Sequence, residues 1–292
     1  MKIGLIDVDG HNFPNLALMK ISAYHKSLGD DVEFWNGLLE YDKVHRSKVF
    51  TFTKDVSTII QADEVIKGGT GYDLQNKLPL EIEHQYPDYE LYNIKNTAYG
   101  YLTRGCPRGC EFCIVKDKEG QKTYKVADLN EFWNGQKEIK LLDPNLIACK
   151  EWKELMQQLI DSSAWIDFTQ GLDIRLMTDE KAYMLNQVKA KMIHFAWDNY
   201  EFKTYEHLKE FRPCFKYDFR KLRVYVLTNF DTTHEQDLER VYKLKELGYD
   251  PYIMIYDKYN APIKTRYLQR WVNNKIIFRT INRFEDYDHK VG

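Results

Sequence analysis

Short apolar runs alternate with helical patterns along the chain. The run Lys2–Asp7 ends in Asp and Gly, which is typical of a buried parallel strand. A helical pattern follows over residues 16–28, opened by Pro14-Asn15 and closed by Gly29. Three more strands are predicted, at Asp31–Trp35, Lys48–Thr53 and Val65–Lys67. This βαβ rhythm predicts a small doubly wound, Rossmann-like parallel sheet domain over residues 1–92.

The same rhythm continues over residues 93–262. Six strands are predicted there, at Tyr99–Leu102, Ile139–Leu142, Trp165–Thr169, Met192–Trp197, Leu222–Leu227 and Tyr252–Tyr256. Helical patterns lie between them, clearest over residues 145–162 and 234–248. Six strand–helix units indicate an α/β fold with a partial (β/α)6 TIM-like barrel. Residues 78–93, rich in Pro and acids, are predicted to connect the domains, and residues 263–292 to form a C-terminal cover segment.

The hydropathy, net charge and cysteine number of the chain limit the classes of function that it can have. No apolar run approaches the roughly 20 residues needed to span a bilayer, so no membrane role is expected. The formal charge of -2 provides no overall field that would recruit nucleic acid or an anionic membrane. The start MKIGLIDVDG has no apolar signal region, and five cysteines is an odd number. We therefore expect a cytoplasmic protein with reduced thiols.

Three of the five cysteines, Cys106, Cys110 and Cys113, lie within eight residues in the spacing C-x3-C-x2-C. Three thiolates on one loop can bind three irons of a cubane cluster and leave the fourth iron without a protein ligand. A zinc site closed by His84, Cys149 or another residue is the alternative. Zinc sites usually contain paired C-x2-C units, and the chain has no second pair.

The triad, with aromatic Phe112 just before its last cysteine, resembles that of the radical S-adenosylmethionine (SAM) superfamily. The resemblance implies that Cys106, Cys110 and Cys113 hold a 4Fe-4S cluster whose open iron chelates SAM. It also implies cleavage of SAM to a 5'-deoxyadenosyl radical, a backbone contact from Phe112 to adenine, and a flavodoxin- or ferredoxin-type reductant.

Polar residues follow the predicted strands at the edge where parallel α/β folds bind ligands. By resemblance, the turn containing Asp143 and Asn145 corresponds to the segment that binds the SAM amino group, although the usual Gly-Gly-Glu is missing. Asp173, Arg175 and Asp198 are candidate contacts to the ribose or carboxylate of SAM. The alternative for each is a structural role at the start of the next helix, because Asp and Asn are favoured N-caps.

The first predicted strand–helix turn resembles the cobalt-ligating D-x-H-x-x-G motif of cobalamin domains. Asp9 and His11 are in place, but Pro14 stands where the glycine should be, and Gly68-Gly69 corresponds to a later glycine pair. The chain thus resembles the subclass with an N-terminal cobalamin-binding domain, in degenerate form. Bound cobalamin, which would favour methyl transfer, is the less favoured cofactor assignment.

Two further features have ordinary structural interpretations. Cys149 is expected to be a buried apolar residue and Cys214 a loop residue, too few for an auxiliary cluster. The segment from Lys264 to Arg283 interleaves basic and aromatic residues, which would suit RNA. The favoured interpretation is an amphipathic helix and a strand covering the barrel, with basic stems over apolar surface.

The sequence thus predicts a radical SAM enzyme that abstracts hydrogen from an unidentified substrate. A cobalamin-dependent radical SAM methyltransferase is one alternative. An iron–sulfur or zinc RNA-binding protein without catalysis is the other.

Overall fold

A computed structural model describes residues 1–10 and 13–290. The chain divides into two compact units. The first comprises Met1–Gly100 and Ala127–Ile139, and the second comprises Tyr101–Val126 and Lys140–Gly292. The three-part division made from the sequence stays a prediction. Within the described residues, no helix is long and apolar enough to cross a membrane.

The first unit is built on a four-stranded parallel sheet of order β2-β1-β3-β4. Its strands are β1 (Lys2–Asp7), β2 (Asp31–Phe34), β3 (Tyr41–Ser47) and β4 (Ala62–Gly68). The central β1 has a burial pattern with four consecutive buried residues, as the continuous apolar run predicted.

Helix α1 (Leu16–Ser27) packs its apolar face on β1. The side chain of Asn15 caps it by accepting a hydrogen bond from the Leu18 amide, and Asn15 Nδ2 donates to Ser47 Oγ. Leu18 and Ile21 form one buried cluster with residues of β1. The predicted helix is confirmed, and it begins directly after Asn15.

The third strand was predicted in the wrong place, because it lies at Tyr41–Ser47 and not at Lys48–Thr53. The β3 strand carries polar residues that tertiary partners satisfy: His45 Nε2 lies 3.2 Å from His25 Nε2, and Arg46 pairs with Asp55. Residues 48–53 leave the sheet, because the Asp9 carboxylate binds the Val49 and Phe50 amides and the Thr53 hydroxyl.

The first unit is also less regularly wound than predicted. Among its described residues, α1 is the one helix that joins consecutive strands of the sheet, and loops join β2 to β3 and β3 to β4. The predicted connector at residues 78–93 belongs to this unit. It contains the short helix α2 (Leu80–Glu83), whose Ile82 packs in the same buried cluster as Leu18.

The second sheet has six strands in the order β12-β11-β10-β9-β8-β5. They are β5 (Thr97–Gly100), β8 (Glu138–Leu141), β9 (Trp165–Phe168), β10 (Ala190–Ala196), β11 (Leu222–Thr228) and β12 (Asp250–Ile255). The pairs β9–β10, β10–β11 and β11–β12 are parallel. All six overlap predicted strands, and no strand end differs by more than two residues from its predicted position.

Two short strands lie between β5 and β8 along the chain. They are β6 (Thr103–Arg104) and β7 (Tyr124–Lys125), and they form a separate two-stranded antiparallel sheet. The helices after α2 are α3 (Val115–Lys118), α4 (Trp152–Ser162), α5 (Asp179–Gln187), α6 (Phe202–Phe211), α7 (His234–Leu247), α8 (Ile263–Asn273) and α9 (Lys275–Thr280). The helical pattern at 234–248 is confirmed, with Thr233 as N-cap and Gly248 as C-cap.

The C-terminal segment forms two helices and not the predicted helix and strand. Asn274 ends α8 and caps α9 by accepting from the Ile276 and Ile277 amides, so the chain turns into a second helix. Asn273 bonds both backbone groups of Ile253 in β12, at 2.8 and 3.0 Å. The segment thereby covers an edge strand that would otherwise expose unpaired backbone groups.

Gly69 offers a test of how tightly the first unit is packed. Its φ is +95°, and a Cβ there would lie 2.4 Å from the Lys48 carbonyl oxygen. Gly29 has a similar φ of +82° with nothing within 4 Å of a Cβ. We expect Gly29→Ala to cost about 1 kcal/mol of unfolding free energy through backbone strain alone. Gly69→Ala should cost at least about 3 kcal/mol, because strain and a backbone clash add. Urea unfolding followed by circular dichroism measures both, and equal losses would contradict this packing.

Candidate metal centre

The cysteine loop is held at its base by the β6–β7 hairpin. Gly105 begins the loop with φ +78°, and a Cβ there would lie 2.0 Å from the Lys122 carbonyl oxygen, so only glycine lets the two ends of the loop approach this closely. The Glu119 carboxylate accepts from the Gly105 amide and from Arg104, both at 2.9 Å. The loop therefore has a defined base before any metal binds.

The three cysteines are half-buried free thiols on this loop. A turn closes the second pair, with the Cys113 amide donating to the Cys110 carbonyl at 3.1 Å. Burial raises the pKa of the Cys110 thiol, and the Asp198 charge adds to the effect. Burial likewise raises the pKa of the Cys113 thiol. A metal would have to displace these protons, as thiolate ligation requires.

Asp143, at the end of β8, anchors the chain that leads into this loop. Its buried carboxylate accepts from the Leu102 amide at 3.2 Å, and from the amide and hydroxyl of Thr103. Burial raises the pKa of Asp143 to about 6. The contact to SAM predicted for Asp143 stays a prediction, while the structure gives its carboxylate these intramolecular bonds.

Asn145 lies two residues further on and reaches the first cysteine. It is 2% exposed, and its Nδ2 lies 3.7 Å from Cys106 Sγ. It precedes the 3₁₀ helix Leu146–Ala148, but its side chain makes no capping hydrogen bond. Its Oδ1 is buried with no hydrogen-bond partner in the described part of the chain. The capping interpretation is therefore wrong for Asn145.

Asp173, after β9, does cap a helix and also joins two arginines. Its carboxylate accepts from the Arg175 amide at 3.1 Å at the start of the 3₁₀ helix Ile174–Leu176, so the capping alternative is confirmed for this residue. It also accepts from Arg175 Nε at 2.8 Å and from Arg108 Nε. Arg108 lies between the first two cysteines, so this ion cluster links the β9 end to the cysteine loop.

Asp198, after β10, differs from the other strand-end acids. Burial raises its pKa to about 6, although the charges of Arg175 and Arg240 oppose the shift. It does not cap α6, whose N-cap is Glu201. Its charge acts on the Cys110 and Cys113 thiols. Its role as a contact to SAM stays a prediction.

Arg240, which the sequence did not single out, holds two strand ends together. It is 0% exposed, and its guanidinium donates to the carbonyls of Trp197 and Asp198 after β10 and of Leu227 in β11, at 2.6 to 2.9 Å. Asp237 pairs with it at 2.6 Å. A lone arginine in a polar helical pattern carries no signal of this role, because the partners come from other elements.

An aromatic row extends from the cysteine loop across the ends of β11 and β12. The Phe112 ring meets Phe230 edge-on with centroids 5.6 Å apart, and Phe230 meets Tyr256 at 5.0 Å. Phe230 and Tyr256 are 37% and 43% exposed. Phe112 was predicted as an adenine contact, which stays a prediction. The sequence alone did not single out Phe230 or Tyr256.

The residues proposed as a fourth zinc ligand have other partners. His84 Nδ1 lies 2.9 Å from Glu131 within the first unit. Cys149 is buried as predicted, and its Sγ lies 3.0 Å from Glu151 Oε2. Cys214 is exposed, in the 3₁₀ helix Arg212–Cys214. Across the described residues, no three His, Cys, Asp or Glu side chains converge on a single metal ion. Ligands of a cubane bind separate irons and do not need to converge in this way.

The basic C-terminal segment uses many of its side chains internally. Lys275 pairs with Asp250 at 2.7 Å, and Arg279 lies over the Phe219 ring. Trp271 and Phe278 are buried. Basic stems over apolar surface are thus as expected, and RNA binding by this segment stays an untested prediction.

The fold is similar to that of known structures. Two solved structures of the radical S-adenosylmethionine methyltransferase TsrM from Kitasatospora setae superpose on the chain. One, with cobalamin and a [4Fe-4S] cluster bound, has a TM-score of 0.66 at 12% identity and covers 87% of this chain and 74% of its own. The other, with tryptophan substrate and the analogue aza-SAM, has a TM-score of 0.62 at 10% identity and covers 86% and 72%.

This chain has the fold of the radical SAM methyltransferase TsrM. No family model and no curated protein sequence matches it. At these identities the likeness concerns the fold alone. The α/β class and the parallel sheets predicted from the sequence are confirmed.

The cysteine loop fits an iron–sulfur cluster, because it offers three thiols on a preformed loop beside a buried amide donor. Two residues that were matched to the cobalamin motif have partners within the first unit. The Asp9 carboxylate is bonded to residues 49–53, and Gly69 packs on the Lys48 backbone. His11, the predicted cobalt ligand, lies outside the described residues.

Removing the Asp143 carboxylate tests the anchor. Asp143→Ala leaves two buried amides and a hydroxyl without their acceptor, and we expect a loss of about 3 kcal/mol of unfolding free energy. The control is Asp161→Ala, which removes an exposed helical carboxylate bonded to Gln157 and should cost under about 0.5 kcal/mol. Urea unfolding measures both variants. Similar values for the two would show that Asp143 does not anchor the loop.

Arg240→Met tests the link between the strand ends. The substitution leaves Asp237 as an uncompensated buried charge, so we expect a loss of about 3–5 kcal/mol in the same measurement. Arg220→Met is the matched control, because Arg220 pairs with Asp218 at an exposed position and should contribute at most about 1 kcal/mol. A loss below that of the control would refute the assignment.

Proposed function

We propose that this protein is a radical SAM enzyme that abstracts a hydrogen atom from a substrate still to be identified. The observation that carries the proposal is the cysteine loop, bonded to side chains from the carboxyl ends of β8 and β9. Parallel α/β folds bind their ligands at this edge. We propose that the six-stranded sheet curves there as a partial barrel.

Cys106, Cys110 and Cys113 would hold a 4Fe-4S cluster. When bound, that cluster supplies the electron that cleaves SAM to a 5'-deoxyadenosyl radical. Three protein thiolates leave one iron for SAM, and a flavodoxin- or ferredoxin-type reductant is part of the proposal.

The polar side chains at this edge suit the polar groups of SAM. The free Oδ1 of Asn145 is an acceptor for the ammonium group, because it is buried and has no partner among the described residues. Arg175 offers a guanidinium for the carboxylate. Asp198, with its raised pKa, is an acceptor for the ribose diol. Phe112, whose ring contacts Phe230, would contact adenine through its backbone.

Cobalamin-dependent methyl transfer is the second candidate. The similarity to TsrM favours it, since that structure contains cobalamin. The contacts of Asp9 and Gly69 within the first unit weigh against it, so we derive no step through this cofactor.

Anaerobic reconstitution with iron and sulfide, followed by dithionite and SAM, tests the proposal. We expect a brown protein that converts SAM to 5'-deoxyadenosine and methionine, detected by liquid chromatography. Cys113→Ala should lose this activity because it removes a cluster ligand, whereas Cys214→Ala removes an exposed thiol and should keep it.

Two other outcomes of this reconstitution experiment would lead to different conclusions. A colourless protein that binds zinc and releases no 5'-deoxyadenosine would refute the proposal. A tightly bound corrin spectrum after incubation with cobalamin would favour the methyltransferase.

A further inference from the structure

We infer that Asn145 is a positioning residue for the cluster, because its side-chain amide donates a hydrogen bond to the Cys106 thiolate and raises the reduction potential of the bound cluster. This inference rests on the proposed function. It assigns Asn145 Nδ2 a role separate from the SAM contact proposed for Oδ1.

The first observation is the contact itself. Asn145 Nδ2 lies 3.7 Å from Cys106 Sγ, within the reach of a hydrogen bond to the large sulfur atom. A thiolate that ligates iron carries no proton and can only accept. The amide must therefore turn its N–H group, and not its oxygen, toward this sulfur once the cluster is bound.

The second observation is that no other contact within the described residues accounts for the buried side chain. Asn145 is 2% exposed, and burying an amide costs free energy unless it is hydrogen-bonded. Its side chain makes no capping hydrogen bond to the 3₁₀ helix that follows it. Among the described residues, the sulfur of Cys106 is the one side-chain partner found for this amide.

The third observation is that both partners are held in place. The Asp143 carboxylate, two residues before Asn145, binds the Leu102 and Thr103 amides just before Cys106. The Cys106 amide itself donates to the Gly120 carbonyl at 3.3 Å. The turn after β8 therefore fixes the amide relative to the sulfur, and a donor held in this way is preorganised.

The effect on the cluster follows from charge. Reduction adds an electron whose density is shared with the thiolate sulfurs, so a donor to one of them stabilises the reduced state more than the oxidised state. Hydrogen bonds to sulfur are one of the means by which proteins set cluster potentials. Losing the donor should make the cluster harder to reduce.

The test is a redox titration of the reconstituted protein followed by electron paramagnetic resonance. Asn145→Leu removes the donor at similar volume without adding charge, and Asn145→Asp keeps the shape but cannot donate when ionised. We expect both to shift the midpoint potential to more negative values, with wild-type iron content. Asn199→Asp is the control for added charge at the same sheet edge, where the amide bonds only to Glu201 among the described residues. Its shift should be smaller than that of Asn145→Asp.

Deuteron couplings of the reduced cluster after exchange into D2O give an independent measurement. We expect wild type to show a coupled exchangeable deuteron that both Asn145 variants lack. An unchanged midpoint in either variant that retains iron would overturn the inference, and so would an unchanged deuteron spectrum. If neither variant retains iron, a wild-type spectrum without a coupled exchangeable deuteron overturns it. A wild-type protein that binds no cluster would instead overturn the proposed function.

Discussion

The buried carboxylate of Asp143 is the constraint on which the candidate site depends. A loop of three cysteines has little apolar surface of its own to hold it in one conformation. Asp143 supplies the restraint by accepting from the Leu102 and Thr103 amides and from the Thr103 hydroxyl. Buried donors are costly to leave unpaired, so the chain entering the loop has one favourable position. The three cysteines thus lose conformational entropy during folding and not on metal binding.

Two kinds of charged side chain lie at the carboxyl ends of these strands. Some are bonded within the fold, and others are available to a ligand. Arg240 is fully buried, and its two terminal nitrogens donate to carbonyls at the ends of β10 and β11 and to Asp237. Asp173 likewise caps a helix and binds Arg108 and Arg175. Asp198 has no comparable helix-capping bond, and burial raises its pKa. Perturbed acids with few internal partners are typical of binding sites, whereas satisfied ion pairs mainly hold a fold together.

In the first unit, residues that resemble a cobalamin motif also make contacts that stabilise the fold. Its parallel sheet and α1 are of the Rossmann type, yet Gly69 is required by the close approach of Lys48, and Asp9 stabilises the loop that follows β3. These contacts explain residues that the sequence had matched to a cobalamin motif. The chain has the fold of TsrM at 12% identity or less, which is enough to retain the architecture but does not carry residue roles across.

The sequence by itself determined the α/β class, nearly all the strands and the cysteine loop, because continuous apolar runs and thiol spacing are local signals. It could not place β3, because its polar residues His45 and Arg46 are buried. The fold brings His25 and Asp55 within bonding distance of them. Nor could it choose between capping and cofactor contact at the strand ends. The tertiary structure decided that Asp173 caps a helix while Asn145 faces Cys106, because each outcome depends on which distant groups the fold brings within hydrogen-bond reach.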